Sequence, residues 1–211
     1  MAIGNRNVHP TDIVCGAFIN DVRTESRREV IRRVPALALF YHEGILGHRL
    51  QYAIQTKLKG DPAFCKFGGV KAYTEGWGLY SEGLAKEMDA DPARDFGLLQ
   101  LELHRVIRLV VDSGLHYKRW SRETAIKYVE DNSADAPGGI VKAIERYIIY
   151  PGQATAYMVG RLKISELRDK AQKALGKKFD IRGFHDTVLK SGPVPLDVLE
   201  EQVDGWIASR K

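Results

Sequence analysis

Three residues in one short segment could hold a metal ion and activate water. His42, Glu43 and His48 lie close together in the sequence. In the usual zinc motif, two His four residues apart share one helix face, and the Glu between them activates the metal-bound water. Here the second His comes six residues after the first, which places it about 120° away on a regular helix. Both can reach one ion only through a bulge or kink, which Gly44 and Gly47 would permit. The alternative is that all three are ordinary helix residues.

Two carboxylates in a second segment fit the same chemistry. Glu75 and Glu82 are seven residues apart, about two helical turns, so both lie on one face of a helix. Carboxylates that point inward from an apolar helix are costly to bury unless a cation compensates them. We expect Glu75 to be a metal ligand and Glu82 to accept a hydrogen bond from a ligand His and so orient its ring. The alternative is that both face solvent or pair with Arg or Lys.

The combined pattern resembles a known family. The chain reads H-E-G-x-x-G-H-x-L-Q, and then E-G-W-x-x-Y-x-E. These motifs are similar to those of the family called domain of unknown function 885, and the similarity runs from about Arg33 to the C-terminus. Further matching segments follow in order: Asp112–His116, Trp120-Ser121, Tyr150–Ala154 with Tyr157 and Gly160, Phe179-Asp180, Phe184–Asp186 and Gly192–Leu196.

The resemblance implies a gluzincin-like zinc peptidase, a metalloprotease with a mostly helical catalytic domain. It implies one zinc per chain, held by His42, His48 and Glu75, with Glu43 as the general base that takes a proton from water. His116 and Tyr157 are the expected catalytic donors to the oxyanion.

Three further residues are expected to support the site. Gln153 lies four residues before Tyr157, so the two can share a helix face and line a substrate cleft. Arg161 could bind a substrate carboxylate with both arms of its guanidinium, or could be a surface residue. Asp112 could orient a His or cap a helix.

The chain departs from the family pattern in two respects. Leu46-Gly47-His48-Arg49 stands where the family usually has Pro-Gly-His-His, so one kink-forming proline is missing. Family members are also typically far longer, with a large N-terminal helical region before the His motif. The resemblance therefore implies that residues 33–211 correspond to the C-terminal catalytic part, preceded by an unassigned segment of residues 1–32.

Helical spacing of apolar residues predicts a mostly α fold, a single domain over residues 1–211 with the metal site between two adjacent helices. We expect a helical stretch from Thr24 to Leu58, divided near Pro35. The other predicted helices are Val70–Met88, Ala93–Ser113, one capped by Ser121, Gly139–Ile149, Gly152–Leu175, Ile181–Lys190 and Leu196–Ser209.

The composition is that of a soluble domain. The net charge is +5, but Lys and Arg alternate with Asp and Glu, so we expect no nucleic-acid partner. No apolar run approaches the roughly 18 residues that span a membrane, so no membrane association is expected. The first residues lack the apolar core of a signal peptide, which indicates a cytoplasmic protein if Met1 is the natural start. Cys15 and Cys65 are expected to be free thiols.

Three functions are compatible with the sequence. The first is a zinc hydrolase of peptide or related amide bonds, with a peptide as its substrate. The second is a zinc-binding helical domain that is truncated or inactive and needs a missing N-terminal region or a partner. The third is a metal-free interaction module that kept the motif by descent. An incomplete domain would expose apolar surface, so a homo-oligomer or association with the missing region is expected.

Overall fold

The computed structural model describes residues 39–44, 46–58, 68–88 and 92–211. This part of the chain is mostly helical and contains no β-strand, which confirms the predicted mostly α class. A helical segment at residues 39–43 comes first. It is followed by α1 (His48–Gln55), α2 (Lys71–Met88), α3 (Pro92–His116), α4 (Arg122–Asn132), α5 (Pro137–Ile149), α6 (Gln153–Leu175), a 3-10 turn (Gly176–Lys178), α7 (Ile181–Lys190) and α8 (Leu196–Arg210).

The largest difference from the predicted helices lies at the His motif. The predicted stretch to Leu58 is not one continuous helix, because the first helical segment ends at Glu43 and α1 begins at His48. The predicted start of this stretch, residues 24–38, lies outside the described residues. Farther along, α5 begins at Pro137 rather than Gly139, since the fixed φ of proline suits a first helical turn.

Helices α2 and α6 pack closely at the centre of the fold. Gly76 and Gly160 face each other where the two helices cross, and a Cβ at either position would overlap with the opposite backbone. Around this crossing lies the main hydrophobic core, which α7 and α8 complete; its buried members include Tyr73, Trp77, Ile164, Leu167, Phe184, Val188, Leu199 and Val203.

A second hydrophobic cluster joins α3, α4, α5 and the start of α6. Ile107, Val111, Ile140 and Ile144 are buried within it. Ser121 caps α4, since its side chain accepts a hydrogen bond from the backbone N–H of Thr124. The second cluster, together with Leu109 of α3 packed against Tyr157 and Met158 of α6, holds α3 against α6 beside the His motif. Among the described helices, none is both long enough and apolar enough to cross a membrane.

Candidate metal centre

The turn between the first helical segment and α1 brings the two His together. Gly47 approaches the backbone of His42 so closely that a Cβ would overlap with the His42 carbonyl oxygen. Trp77 donates a hydrogen bond from Nε1 to the carbonyl of Leu46 at 2.9 Å, and this bond anchors the turn to α2. The imidazole rings of His42 and His48 meet edge to face, with centroids 4.7 Å apart. The break in the helix therefore compensates for the six-residue spacing.

Glu75 of α2 contacts both imidazoles. Its Oε2 lies 3.4 Å from Nε2 of His42 and 3.3 Å from Nε2 of His48. Ligand atoms about 2.0–2.1 Å from a tetrahedral zinc ion lie about 3.3–3.4 Å from one another. The two measured distances therefore fit a shared zinc ion, and a His₂Glu ligand set is one that catalytic zinc sites use.

The carboxylate of Glu82 lies on the other side of the His42 ring. Its Oε1 accepts a hydrogen bond from Nδ1 of His42 at 2.6 Å, and both side chains are buried. This contact fixes the ring so that Nε2 points toward Glu75, which is the arrangement that orients metal-bound His in proteins. Nδ1 of His48 is buried without a hydrogen-bond partner among the described residues.

The electrostatics of this group favour a positive charge between the side chains. Burial alone would lower the pKa of His42, but hydrogen bonds to Glu75 and Glu82 outweigh it and raise the pKa to about 9. Burial alone would raise the pKa of Glu75, but hydrogen bonds from His42 and His48 hold that pKa well below its usual range. Without a metal ion, the positive charge of protonated His42 compensates the negative charges of the two carboxylates. A divalent cation could take the place of that proton.

Glu43 and Tyr157 both lie close to the imidazoles. Glu43 is exposed, and its carboxylate lies within 4.8 Å of a ring nitrogen of both His42 and His48. These three residues form a group that could hold a metal ion. Glu75 lies outside that group, but it is more buried than Glu43 and contacts both Nε2 atoms. Tyr157 of α6 stacks on His42, with ring centroids 6.1 Å apart. Gln153 donates a hydrogen bond to the Tyr157 hydroxyl at 3.3 Å.

The remaining predicted site residues have other contacts. Arg161 forms an ion pair with Glu102 at 2.6 Å. Asp112 accepts hydrogen bonds from the backbone N–H of Gly152 at 3.1 and 3.2 Å, and so holds the start of α6. His116 ends α3, is exposed, and donates from Nε2 to the carbonyl of Tyr147 at 2.9 Å.

Three residues near the imidazoles escaped the sequence reasoning. Gly78 lies directly against the His42 ring. Arg105 and Arg108 place their guanidinium carbons 4.5 and 4.9 Å from the centre of the Tyr157 ring. The only signal in the sequence is that Arg105 and Arg108 stand among the apolar residues of α3.

Comparisons with known proteins agree with the resemblance. The family model described as "Bacterial protein of unknown function (DUF885)" matches residues 15–203, which begins earlier than the motifs do. No curated protein matches the chain. One similar solved structure is "the putative lipoprotein from Colwellia psychrerythraea", with 46% identity and a TM-score of 0.79, covering 82% of this chain and 30% of that one.

A second similar structure shows the same fold at lower identity. It is "a putative lipoprotein of unknown function from Shewanella oneidensis", with 24% identity and a TM-score of 0.72, and the match covers 78% of this chain and 30% of that one. The chain thus spans about 30% of the length of each of these two proteins. Both are named as lipoproteins, so the expected cytoplasmic location finds no support here.

Proposed function

We propose that this chain, which belongs to the DUF885 family of bacterial proteins of unknown function, carries the zinc site of a hydrolase that cleaves peptide or related amide bonds. The observation that carries the proposal is the position of the Glu75 carboxylate, 3.3–3.4 Å from Nε2 of both His48 and His42. Two imidazoles and one carboxylate favour zinc over magnesium or calcium, which prefer oxygen ligands alone.

Each nearby side chain has a role in this proposal. Zinc, when bound, acts as a Lewis acid that makes water nucleophilic at neutral pH and polarises a carbonyl. Glu43 is exposed beside the imidazoles, so it can take a proton from the attacking water and give it to the leaving amine. Glu82 keeps His42 in the tautomer whose Nε2 is available for the metal.

Tyr157 is the better supported of the two predicted oxyanion donors. Its ring stacks on His42, and its hydroxyl is held by Gln153. Arg105 and Arg108 of α3 both stack on Tyr157, and His116 lies eight residues beyond Arg108, about 12 Å along the helix axis. A role for His116 would therefore require a substrate that reaches along α3.

A second candidate function is zinc binding without catalysis by this chain alone. The chain spans about 30% of the length of the similar solved proteins, and a substrate cleft normally needs more than one wall. In this case the chain is a zinc-binding helical domain that acts only together with the remainder of a longer protein or with a partner.

The first test is the metal content of protein purified without a metal-affinity tag, measured by plasma mass spectrometry. We expect close to one zinc per wild-type chain and almost none in Glu75→Ala. Glu87→Ala is the matched control, because Glu87 lies on the same helix but binds Arg168 instead. A wild type without metal after zinc is added would contradict both zinc proposals and favour the metal-free interaction module.

The second test separates hydrolysis from zinc binding. Glu43→Gln should retain zinc and lose peptide cleavage by roughly 10²- to 10⁴-fold, the usual contribution of a general base. Cleavage of a peptide library, read by mass spectrometry, provides the measurement. Equal turnover in the variant and the wild type would rule out Glu43 as the base. A wild type that binds zinc but cleaves nothing would leave the second candidate function.

A further inference from the structure

Two arginines of α3 lie over Tyr157, which stacks on His42 of the candidate site. The guanidinium carbons of Arg105 and Arg108 are 4.5 and 4.9 Å from the centre of the Tyr157 ring. Arg105 is only 7% exposed. Two guanidinium groups on one aromatic ring place two positive charges close together in a poorly solvated position.

Neither guanidinium forms an ion pair with a carboxylate in the described part of the chain, although the charges of Glu82 and Glu75 act on Arg105 and raise its pKa against the effect of burial. Nε of Arg105 and Nη1 of Arg108 are buried there without a hydrogen-bond partner, and Arg108 uses its Nε to bind the hydroxyl of Tyr147 at 2.8 Å. Arg122 and Arg168, by contrast, each form an ion pair with a glutamate. Burial and the charge of Arg108 lower the pKa of Arg105, which reflects the cost of this arrangement.

The arginines are also close to the imidazoles. The Tyr157 ring that Arg105 covers is 6.1 Å from the His42 ring and nearly parallel to it, at 22°. The guanidinium of Arg105 therefore lies no farther from the centre of the His42 ring than the sum of this separation and its own 4.5 Å from the Tyr157 ring. Roughly three residues of an extended peptide, at about 3.3–3.6 Å each, span such a distance. A short peptide could reach both places at once.

We propose that Arg105 and Arg108 bind a carboxylate of the ligand that occupies the His42–His48–Glu75 site, and that this group is the free C-terminus of a short peptide. The inference rests on the proposed function for the identity of that ligand. A guanidinium binds a carboxylate through two parallel N–H···O bonds, and such a bond would supply the partner that the buried donors lack. The geometry thus favours substrates that end within a few residues of the cleaved bond.

The test compares the binding of three peptides by isothermal titration calorimetry. They are N-acetyl-Ala-Leu with a free carboxylate, the same peptide as its C-terminal amide, and N-acetyl-Glu-Leu amide. Each is titrated into metal-free and zinc-loaded wild type. We expect the free acid to bind about 10- to 100-fold more tightly than the amide, the usual range for hydrogen bonds to charged groups.

The variants assign this preference to particular residues. Arg105→Gln and Arg108→Gln should each reduce the preference for the free acid, and Arg105→Lys should restore only part of it, because an ammonium group lacks the guanidinium fork. Arg122→Gln is the control, since the Arg122 side chain is 40% exposed and pairs with Glu145. Thermal melting of each variant identifies any that fail to fold, and the variants that do fold decide the result.

Each outcome is decisive. Equal binding of acid and amide by the wild type would overturn the proposal, as would a preference that survives in both glutamine variants. Loss of the preference in Arg161→Gln alone would assign the carboxylate to Arg161 instead. Tight binding of the glutamate-containing amide would overturn the C-terminal assignment. Because binding is measured, and in the metal-free chain as well, failure of the proposed hydrolysis is a separate result.

Discussion

Gly78 of α2 lies so close to the His42 ring that no residue with a Cβ would fit at this position. A Cβ there would come within 2.7–3.0 Å of three atoms of the His42 ring. Gly78→Ala should therefore displace the imidazole. On the zinc proposal, this should weaken zinc binding by about tenfold or more, since ligand orientation contributes that much to metal affinity. Competition with a zinc chelator measures the effect.

Gly83 on the same helix is the matched control for this substitution. A Cβ at Gly83 would meet nothing within 4 Å among the described residues. Gly83→Ala should leave zinc affinity unchanged and stabilise the helix by up to about 1 kcal/mol, because alanine has the higher helix propensity. Equal zinc affinity in the two variants would contradict a role for Gly78 in positioning His42.

The sequence identifies the His and Glu residues of the candidate site, but it does not reveal the side chains that pack around them. Glu75 and Glu82 share a helix face because seven residues make about two turns, and the structure places both against His42. Their roles at a metal ion remain predictions. Arg105 could not be identified in this way, because its significance depends on α6 bringing Tyr157 across to α3, and a local pattern does not reveal such a long-range contact.

Helices α2 and α6 depend on two glycines for their close approach. A Cβ at Gly160 would overlap with the carbonyl oxygen of Ala72 and lie 2.7 Å from the Cα of Gly76. Gly160→Ala should lower the free energy of unfolding by about 1–3 kcal/mol or more, as overpacking of a tight interface does. Chemical denaturation measures the loss. Gly205→Ala on α8, which meets nothing within 4 Å in the described part, should show none.

Most helix boundaries followed from local signals. Ser121 was predicted as the cap of α4, and its side chain does accept from Thr124. The predicted ends of α6 at Leu175 and α7 at Lys190 are confirmed, because Gly176 follows the first and Ser191, Gly192 and Pro193 follow the second. The break before His48 was harder to place, since only the incompatible spacing of the two His indicated it, and its form depends on the contact with Trp77.

The contact between α7 and α2 should make stability depend on pH. Burial, together with the charge of Arg168, lowers the pKa of His185, and Tyr80 donates a hydrogen bond from its hydroxyl to Nε2 of that ring at 3.0 Å. The neutral ring is therefore favoured in the folded state. The unfolded chain takes up the proton first as the pH falls below about 6.5, so this contribution is present above that pH and is lost below it.

The substitution His185→Gln tests this dependence, because glutamine can still accept from Tyr80 without titrating. We expect Tm to fall less steeply between pH 7.5 and 5.5 in the variant than in the wild type. Some dependence should remain in both proteins, since burial and the charge of Arg108 also lower the pKa of His104, while the raised pKa of His42 acts in the opposite direction. A variant with the full wild-type slope would show that His185 does not contribute.

At the scale of the whole molecule, one face of α3 is apolar and exposed. Leu99, Leu103, Val106 and Val110 follow one another at intervals of four, three and four residues, and are 37–58% exposed. They therefore form a single stripe along the helix. The similar solved proteins are about three times as long as the matched region, since that region is 30% of each. In a protein of that length, a segment outside the matched region could pack against this stripe and bury it.

In the isolated chain, we expect a second copy to cover the stripe instead, because contiguous exposed apolar surface favours association. Sedimentation velocity at micromolar concentrations should show wild-type sedimentation coefficients that rise with concentration. The double substitution Leu99→Gln and Leu103→Gln should abolish most of this rise. Tyr117→Gln, at an 85% exposed position outside the stripe, should leave it unchanged. A wild type that remains monomeric over this range would show that the stripe can stay exposed to solvent. The stripe would then give no reason to expect a partner that covers it.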